Sequence, residues 1–153
     1  MAMLTATEPL TVEQFVAEMT ALPTNLEREG FRDALAACRA VILQDVAQHF
    51  GDQLSGDGSR WPPRKDKLTH PLLILSSLLF QSSVGNAAGK VDRLEDRELE
   101  LGIDKTAVPY AGVHQFGYPK RNIPQRQYWW VSDDAIEECE GIIAEHLNDL
   151  LFS

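Results

Sequence analysis

His114 is the side chain whose neighbours best suit acid–base chemistry, since Tyr110 and Gln115 lie close to it in a stretch rich in aromatic and basic residues. A histidine base needs an acid that orients it and a nucleophile or metal within reach. The serine-rich segment 76–83 offers hydroxyl groups, but the sequence has no Gly-x-Ser-x-Gly elbow. A hydrogen-bonded histidine at a packing or subunit contact is therefore favoured, and a small hydrolase centred on His114 stays open as an alternative.

No catalytic, cofactor-binding or metal-binding residues are expected. The four histidines are scattered without a His-x-x-x-His pair, and no glycine-rich piece is followed by the Lys-Ser or Lys-Thr of a phosphate loop. Cys38 and Cys139 lack zinc-like spacing, and each lies on a predicted helix. Buried free thiols are the favoured interpretation, and a disulfide between the two residues stays open.

The distribution of charge argues against a protein whose main task is to grip nucleic acid. The net charge is −9, whereas binding to phosphates needs cations that displace counterions. Acidic residues gather in segments 92–104 and 133–149, and basic residues gather in segments 60–67 and 120–126. Such clusters usually form solvated surface. The functional alternative is that basic loops of one subunit meet acidic faces of the next.

Length and composition indicate an ordinary globular chain. It has 153 residues, of which 44% are hydrophobic and 24% are charged, and we expect one domain spanning residues 1–153. The N-terminus lacks the basic region and the apolar core of a signal peptide. The apolar run 72–80 is too short to span a bilayer, so we expect a protein that is soluble and intracellular when it is synthesised, with no membrane partner.

An amphipathic helix capped by Thr11 is predicted near the N-terminus. Pro23 is expected to break the chain, so that residues 1–23 form an N-terminal helical segment. The apolar side of this segment is formed by positions spaced i, i+3, i+4 and i+7, which are Val12, Phe15, Val16 and Met19.

A long second helix is predicted to begin at the capping box formed by Thr24 and Glu27. Its apolar face continues at helical spacing down to Gly51, which indicates a side that packs against the core. The residues on that face are Leu26, Phe31, Leu35, Cys38, Ile42, Val46 and Phe50.

A long loop is predicted over residues 51–70, where Gly, Ser, Asp, Pro and Lys predominate and Trp61 is the hydrophobic anchor. Loops of this length in a compact domain are usually functional or disordered. Two interpretations remain open. Either Trp61 packs back onto its own domain, or the loop docks onto a neighbouring subunit, with Arg60 and Arg64 beside an exposed tryptophan as in an interface hot spot.

A small antiparallel sheet is predicted in the middle of the chain. Segment 98–104 alternates apolar and acidic side chains, which is the pattern of a half-buried strand. We expect segments 84–91 and 97–103 to pair as antiparallel strands, with 127–131 as a third strand. In the apolar run 72–82, periodicity does not separate helix from strand.

A last helix is predicted after Ser132, which caps it and places Asp133 and Asp134 at its positive end. Its apolar stripe consists of Ile136, Cys139, Ile143, Leu147 and Leu150. Two or three helices packed on a small, mainly antiparallel sheet, together with the long loop, predict an α+β fold.

The aromatic-rich stretch in the C-terminal third is predicted to form a helical turn, a bend and a strand. Tyr110, Val113 and Phe116 recur at helical spacing, so we expect them to pack inward. Gly117 then ends the helical turn in a left-handed conformation, and Pro119 prevents the helix from continuing. The result is a shaped surface element.

Three motifs in a fixed order resemble the phage virion morphogenesis proteins, the tail-completion group that includes the Mu-type tail protein. The first motif is Asp57-Gly-Ser-Arg-Trp61-Pro-Pro, and the second is Leu75-Ser-Ser-Leu78 followed by Ser82. The third is Tyr110-Ala-Gly-Val-His-Gln-Phe-Gly, followed by Ile123-Pro-Gln-Arg-Gln-Tyr128. The chain departs from the family pattern at Ser77, where glycine is usual, and at Gln127-Tyr128, where Pro-Phe is frequent.

The resemblance extends over residues 45–150 and implies a structural or assembly protein that is not an enzyme. Such a protein acts in tail completion or head–tail joining, as a subunit of a neck or tail-terminator ring. We expect a homo-oligomeric ring, hexameric by analogy with phage tails, that contacts other neck or tail proteins. DNA passes through its channel without specific binding, which an acidic lumen favours by repelling phosphates. The expected locations are the host cytoplasm during assembly and then the virion, at the tail or neck.

Aromatic and basic side chains are expected to form the contacts between subunits. A nucleic-acid-binding module that uses the aromatic and basic stretch Lys120–Trp130 stays open as a second alternative. The residues expected at the subunit interface are Trp61, Arg60, Arg64, Tyr110, His114, Phe116, Arg126, Tyr128, Trp129 and Trp130.

Overall fold

Helices dominate the architecture, and a two-stranded antiparallel sheet lies beside them. The computed structural model describes residues 11–65, 73 and 77–152. In chain order the elements are α1 (Val12–Glu29), α2 (Arg32–Asp52), α3 (Leu78–Ser83), β1 (Lys90–Leu94), β2 (Leu99–Ile103), α4 (Ala111–Phe116), a 3-10 turn (Pro119–Arg121) and α5 (Asp133–Phe152). The predicted α+β class is confirmed.

The first helix is longer than predicted because it runs through Pro23 and ends at Gly30. Thr11 caps its start as expected, in a reciprocal pair of hydrogen bonds with Gln14. The predicted break at Pro23 and the new helix at Thr24 are wrong. Because Pro23 is exposed, water can satisfy the carbonyl group that lacks a donor there. The helix ends where Gly30 adopts a φ of 64°, a conformation that favours glycine.

Helices α2 and α5 pack against each other and run in opposite directions. Ser132, just before α5, bonds to Asp45 in the second half of α2 at 2.7 Å. The thiols of Cys38, in the first half of α2, and Cys139, in α5, each contact the backbone carbonyl of the other cysteine. Both cysteines are free. Burial is the main reason that the pKa of the Cys139 thiol rises to about 12.

The hydrophobic core forms around the C-terminal end of α2, where Phe50 is almost fully buried. The Phe50 ring meets Trp61 edge-on with the ring centres 5.9 Å apart, and it meets Phe80 in the same way at 5.2 Å. Tyr128 lies tilted against it at 5.5 Å. Helix, loop and C-terminal stretch therefore share one core cluster, whose buried members are Val46, Phe50, Trp61, Leu79, Val108, Ala111 and Tyr128.

The sheet in the described residues is smaller than predicted. β1 and β2 pair antiparallel from Lys90 opposite Ile103 to Leu94 opposite Leu99, but β1 begins only after Gly89. A side chain at Gly89 would lie 2.5 Å from a Val108 methyl group, so close packing shapes this boundary. The predicted third strand at 127–131 is wrong, because this segment lies outside the ladder.

An ion pair fastens the sheet to α2. The Arg39 guanidinium group on α2 bonds to both carboxylate oxygens of Asp92 on β1, and Lys90 lies 3.1 Å from the same carboxylate. These contacts, the hydrogen bond from Arg39 above all, lower the pKa of Asp92. The small sheet thus depends on α2 for its position.

The remaining segments agree only in part with the predictions. Helix α2 continues to Asp52, so the predicted loop at 51–70 begins two residues later, and its last part, 66–70, lies outside the described residues. Within the ambiguous apolar run, Leu78–Ser83 is helical. None of the helices in the described ranges has the length and apolar character needed to cross a membrane.

Replacing Phe50 with alanine should lower the free energy of unfolding by about 3–5 kcal/mol, because it opens a cavity in the shared core. The matched control is Phe116→Ala, since this phenylalanine is 76% exposed. We expect the control to change the free energy by less than about 0.5 kcal/mol. Urea unfolding followed by circular dichroism measures both values. Equal losses in the two variants would contradict the assignment of the core.

Candidate functional site

Residues 110–131, here called the bend, form a short helix, a tight turn and a return segment without regular secondary structure. Gly117 follows α4 with a φ of 75°, and a side chain there would lie 2.9 Å from the Gln125 nitrogen. The predicted need for a left-handed glycine is confirmed. Tyr118 and Ile123 then pair across the turn that holds Pro119–Arg121.

The predicted inward packing of Tyr110 and Phe116 is wrong. Tyr110 is 37% exposed and Phe116 is 76% exposed, whereas Ala111 is buried. Helix α4 has a single turn and a half, and its inner side carries Ala111, His114 and Gln115 instead. The larger aromatic rings consequently face outward.

Gln115 holds the two arms of the bend together. Its side-chain oxygen accepts hydrogen bonds from the backbone nitrogens of Tyr128 at 3.1 Å and Trp129 at 3.0 Å, and its amide nitrogen donates to the Trp129 carbonyl at 2.8 Å. One side chain thus satisfies two consecutive backbone nitrogens, whereas a neighbouring strand accepts bonds from alternate residues. These bonds hold 127–131 beside α4 and outside the sheet.

Arg126 ties the bend to the loop at 53–65. Its backbone nitrogen donates to the His114 carbonyl at 2.8 Å, and its guanidinium group donates to the carbonyls of Pro62 at 3.0 Å and Pro63 at 3.1 Å. The side chain is buried. Burial, with a smaller contribution from Arg64, lowers the pKa of Arg126.

The loop in turn donates hydrogen bonds to the bend, from Trp61 and from Gly56. The Trp61 indole nitrogen donates to the Gln127 carbonyl at 3.0 Å, and the Gly56 nitrogen donates to the Gln127 side chain at 3.0 Å. Trp61 is only 4% exposed. Of the two interpretations of this tryptophan, the structure shows the one in which it packs back onto its own chain.

The C-terminal arm of the bend is fixed by its aromatic side chains. The Tyr128 hydroxyl donates to the Ala111 carbonyl at 3.1 Å. Trp130 stacks on His49 with ring centres 3.6 Å apart, and its indole nitrogen donates to the Leu54 carbonyl at 3.2 Å. These contacts leave the aromatic rings of this arm engaged inside the chain.

The structure divides the ten residues predicted for the interface into three groups. Arg60, Tyr110 and Phe116 are exposed; Arg64, His114, Trp129 and Trp130 are half-buried; Trp61, Arg126 and Tyr128 are buried. The buried members brace the bend from within. Their predicted role in contacts between subunits stays a prediction.

The outward side of the bend, here called the rim, consists of Tyr110, Phe116, Tyr118, Lys120 and Arg121, all of them exposed. Arg121 lies over the Tyr118 ring at 5.9 Å, the arrangement of a cation–π pair. The predicted residue set lacks Tyr118 and Gln115, although Gln115 lies in the quoted motif. No sequence signal distinguishes a glutamine that braces backbone from one that is solvated.

Acid–base chemistry at His114 finds no support in its surroundings. Burial and, to a smaller extent, the positive charge of Arg126 lower the pKa of His114, and its buried Nδ1 atom has no hydrogen-bond partner. Ser82, in the serine-rich segment, is fully buried. In the described residues, no group of three or more His, Cys, Asp or Glu residues is placed to hold a metal ion.

A second histidine, His49, lies near a carboxylate and a hydroxyl, but in the wrong order for nucleophilic catalysis. Asp45 stands between the other two, 2.7 Å from the Ser132 hydroxyl and 3.5 Å from His49 Nε2. His49 therefore cannot take a proton from Ser132 as a catalytic base takes one from its nucleophile. The trio joins α2 to the start of α5, where Ser132 also caps the helix, as predicted.

The first and third motifs meet in the structure, since the Trp61 loop packs on the arm that Gln115 holds. The model of the phage virion morphogenesis family matches residues 11–148. The chain belongs to this family. No curated protein and no solved structure shows significant similarity to it. Membership gives the chain a structural or assembly role in building phage virions, in contact with other virion proteins.

Replacing Gln115 with leucine should destabilise the fold by about 2–3 kcal/mol, because it leaves two backbone nitrogens without their acceptor. Gln125→Leu is the matched control, since this exposed glutamine makes one bond, to the Gln115 carbonyl. We expect the control to lose less than about 1 kcal/mol. Chemical denaturation measures both values. A control that loses as much stability as Gln115→Leu would show that the bonds of Gln115 contribute no more than the bond of an exposed glutamine.

Acidification should weaken the fold partly through His114 and His49. Burial is the main cause that lowers the pKa of each imidazole in the folded chain, so the unfolded chain takes up the proton first. Stability is therefore complete above the unfolded pKa of about 6.5 and declines as the pH falls through it.

The variant His114→Gln should reduce the difference in unfolding free energy between about pH 8 and about pH 5.5, the interval that contains this titration. The value at the higher pH measures any loss of packing on its own. If the difference in unfolding free energy between the two pH values is as large in the variant as in wild type, His114 makes no contribution to it.

Proposed function

We propose that the protein is the subunit of a homo-oligomeric ring that completes the phage tail or joins the tail to the head. The observation that carries this proposal is the contrast within the bend. Gln115, Arg126 and Trp61 fix its backbone from inside, whereas the rim holds aromatic and basic side chains in solvent. A surface fixed in advance loses little conformational freedom on binding, which suits it to a protein contact.

A ring is the assembly that best fits a small subunit of this kind. Identical subunits that join head to tail form a closed ring when the rotation between neighbours closes, and a virion tail has the rotational symmetry to receive one. We propose a hexamer, by analogy with phage tails. The neck and the tail end are the proposed positions, and assembly in the host cytoplasm precedes incorporation.

The charge of the chain supports passage of DNA rather than retention of it. With a net charge of −9, a ring offers a channel that repels phosphates unless its basic residues line the lumen. An acidic cleft of about 480 Å³ lies between α2 and α5, with Asp45, Asp52, Asp134 and Glu138 among its lining residues. We propose that such acidic faces line or flank the channel.

The nucleic-acid-binding alternative receives little support from the geometry of the bend. It requires Trp129 and Trp130 as stacking platforms, but both are half-buried, and Trp130 already stacks on His49. Lys120 and Arg121 are exposed, so a gel-shift titration at low salt is a direct test of this alternative.

A phage whose copy of this gene carries an early stop codon tests the proposed function. We expect lysates with separate heads and tails, or tails of irregular length, and a loss of infectivity that the wild-type gene restores in trans. Electron microscopy of the lysates shows which particle is missing.

The variant His114→Ala should restore infectivity in the same assay, because the proposal assigns no reaction to this histidine.

Native mass spectrometry of the wild-type protein with purified tails should detect an oligomer on the tail. Normal joined virions in the absence of the gene product would overturn the proposal.

A further inference from the structure

Helix α1 carries an apolar seam along its whole length. Val12, Phe15, Met19, Leu22 and Leu26 follow one another at spacings of three and four residues, which is the a/d pattern of helices that pack against other helices. A seam of this kind buries apolar surface only where a partner covers it.

The described residues cover only the C-terminal half of this seam. Leu22 and Leu26 are half-buried, and α1 packs on α5. The N-terminal half, here called the arm stripe, is exposed over Val12 (75%), Phe15 (50%), Val16 (55%) and Met19 (45%). The capping box at Thr11 stabilises the helix up to its first residue, so the stripe has a defined helical geometry.

The root of α1 lies near the C-terminal end of α5, where the Gly30 carbonyl lies 2.8 Å from the His146 ring. Measured from this contact, α5 has about 9 Å left before Phe152, whereas α1 is about 27 Å long back to Val12. Phe152 itself is 48% exposed at the end of α5. The exposed half of α1 is therefore the half that is distant from this root.

The chemistry of the arm stripe matches that of the rim. The stripe is flanked by Glu13 and Glu18, and the helix has no Lys or Arg before Arg28. The rim combines aromatic rings with Lys120 and Arg121, and no Asp or Glu occurs anywhere in residues 105–132. Apolar area and opposite charge are thus both available for one contact.

One copy of the chain does not make this contact with itself, since the stripe and the rim are both exposed in the described structure. α1 is rooted beside Phe31, at the N-terminal end of α2, through His146. The rim is rooted beside Phe50, at the other end of α2, through Tyr128 and Ala111. Helix α2 spans about 31 Å, which separates the two roots.

We propose that the arm stripe of one copy docks onto the rim of the next copy and that this contact joins the subunits head to tail. The inference rests on the proposed function, since it supplies the contact through which a ring forms. Because the two surfaces differ and are rooted at opposite ends of α2, each copy uses both, and repetition continues until the ring closes.

Two double variants test the contact from its two sides. Phe15→Glu with Met19→Glu places carboxylates in the arm stripe, and Lys120→Glu with Arg121→Glu reverses the charge of the rim. The matched controls are Ala17→Glu with Ala21→Glu, on the opposite face of the same helix turns, and Arg97→Glu with Lys105→Glu, with the same change of net charge. All eight positions are exposed, and circular dichroism checks that each variant is folded.

Sedimentation velocity of the full chain gives the result. We expect each test variant to self-associate at least about tenfold more weakly than wild type, because the contact must bury unpaired carboxylates or like charges. Both controls should assemble like wild type. Test variants that assemble as well as their controls would overturn the proposed contact.

Mixing the two test variants decides the polarity of the contact. The stripe variant retains an intact rim and the rim variant retains an intact stripe, so a mixture should form a one-to-one dimer and stop there. Pairing of two stripes predicts instead that the rim variant associates with itself and ignores the stripe variant. Coverage of the stripe by residues 1–10 predicts no effect of either variant on assembly. Each of these outcomes contradicts the head-to-tail contact.

Failure of this inference differs from failure of the proposed function. If wild type stays monomeric at every concentration, alone and with purified tails, the ring itself is refuted. If wild type forms an oligomer that the stripe and rim variants leave intact, only the contact is refuted and the ring stands.

Discussion

The hydrogen bonds of the Gln115 side chain are the constraint on which the shape of the bend depends. A segment rich in Tyr and Trp favours a sheet, and its backbone nitrogens need acceptors wherever it lies. Gln115 provides an acceptor from a helix only one turn and a half long. The segment is thereby held beside α4, and the stretch between them must turn sharply at Gly117.

The position that Gln115 gives to the bend explains why its aromatic and basic residues, together with Trp61, separate into a buried set and an exposed set. Trp61, Arg126 and Tyr128 turn inward and satisfy their polar atoms on backbone carbonyls. Phe116 and Tyr118 remain exposed. Burial of the first set fixes the backbone, which would reduce the entropy lost in the proposed contact through the second set.

The long helices give the molecule two distinct ends. α2 and α5 run in opposite directions, so the bend gathers at one end and the root of α1 lies at the other. A body with different surfaces at its two ends favours heterologous association, in which copies add in one direction. The excess of acidic over basic residues in the chain limits the binding of phosphate groups. The proposed assembly and the proposed passage of DNA would both rest on this distribution of residues.

Local patterns in the sequence determined the start of α1, the end of α2, the helices α4 and α5, the caps at Thr11 and Ser132, the strand β2 and the family. These features depend on neighbours three or four residues away in a helix, or two in a strand, so spacing alone predicts them. The positive φ at Gly117 is likewise a local feature, because it follows from a glycine placed directly after a short helix.

Only the tertiary structure decided the features that depend on distant partners. Helix α1 passes through Pro23 because packing on α5 outweighs a missing donor, and 127–131 leaves the sheet because Gln115 takes its bonds. Whether Trp61 or Phe116 faces inward depends on which cavity remains after α2, α4 and the loop have packed. A sequence pattern records periodicity, but it does not record which polar group reaches a given backbone nitrogen or where a neighbouring helix ends.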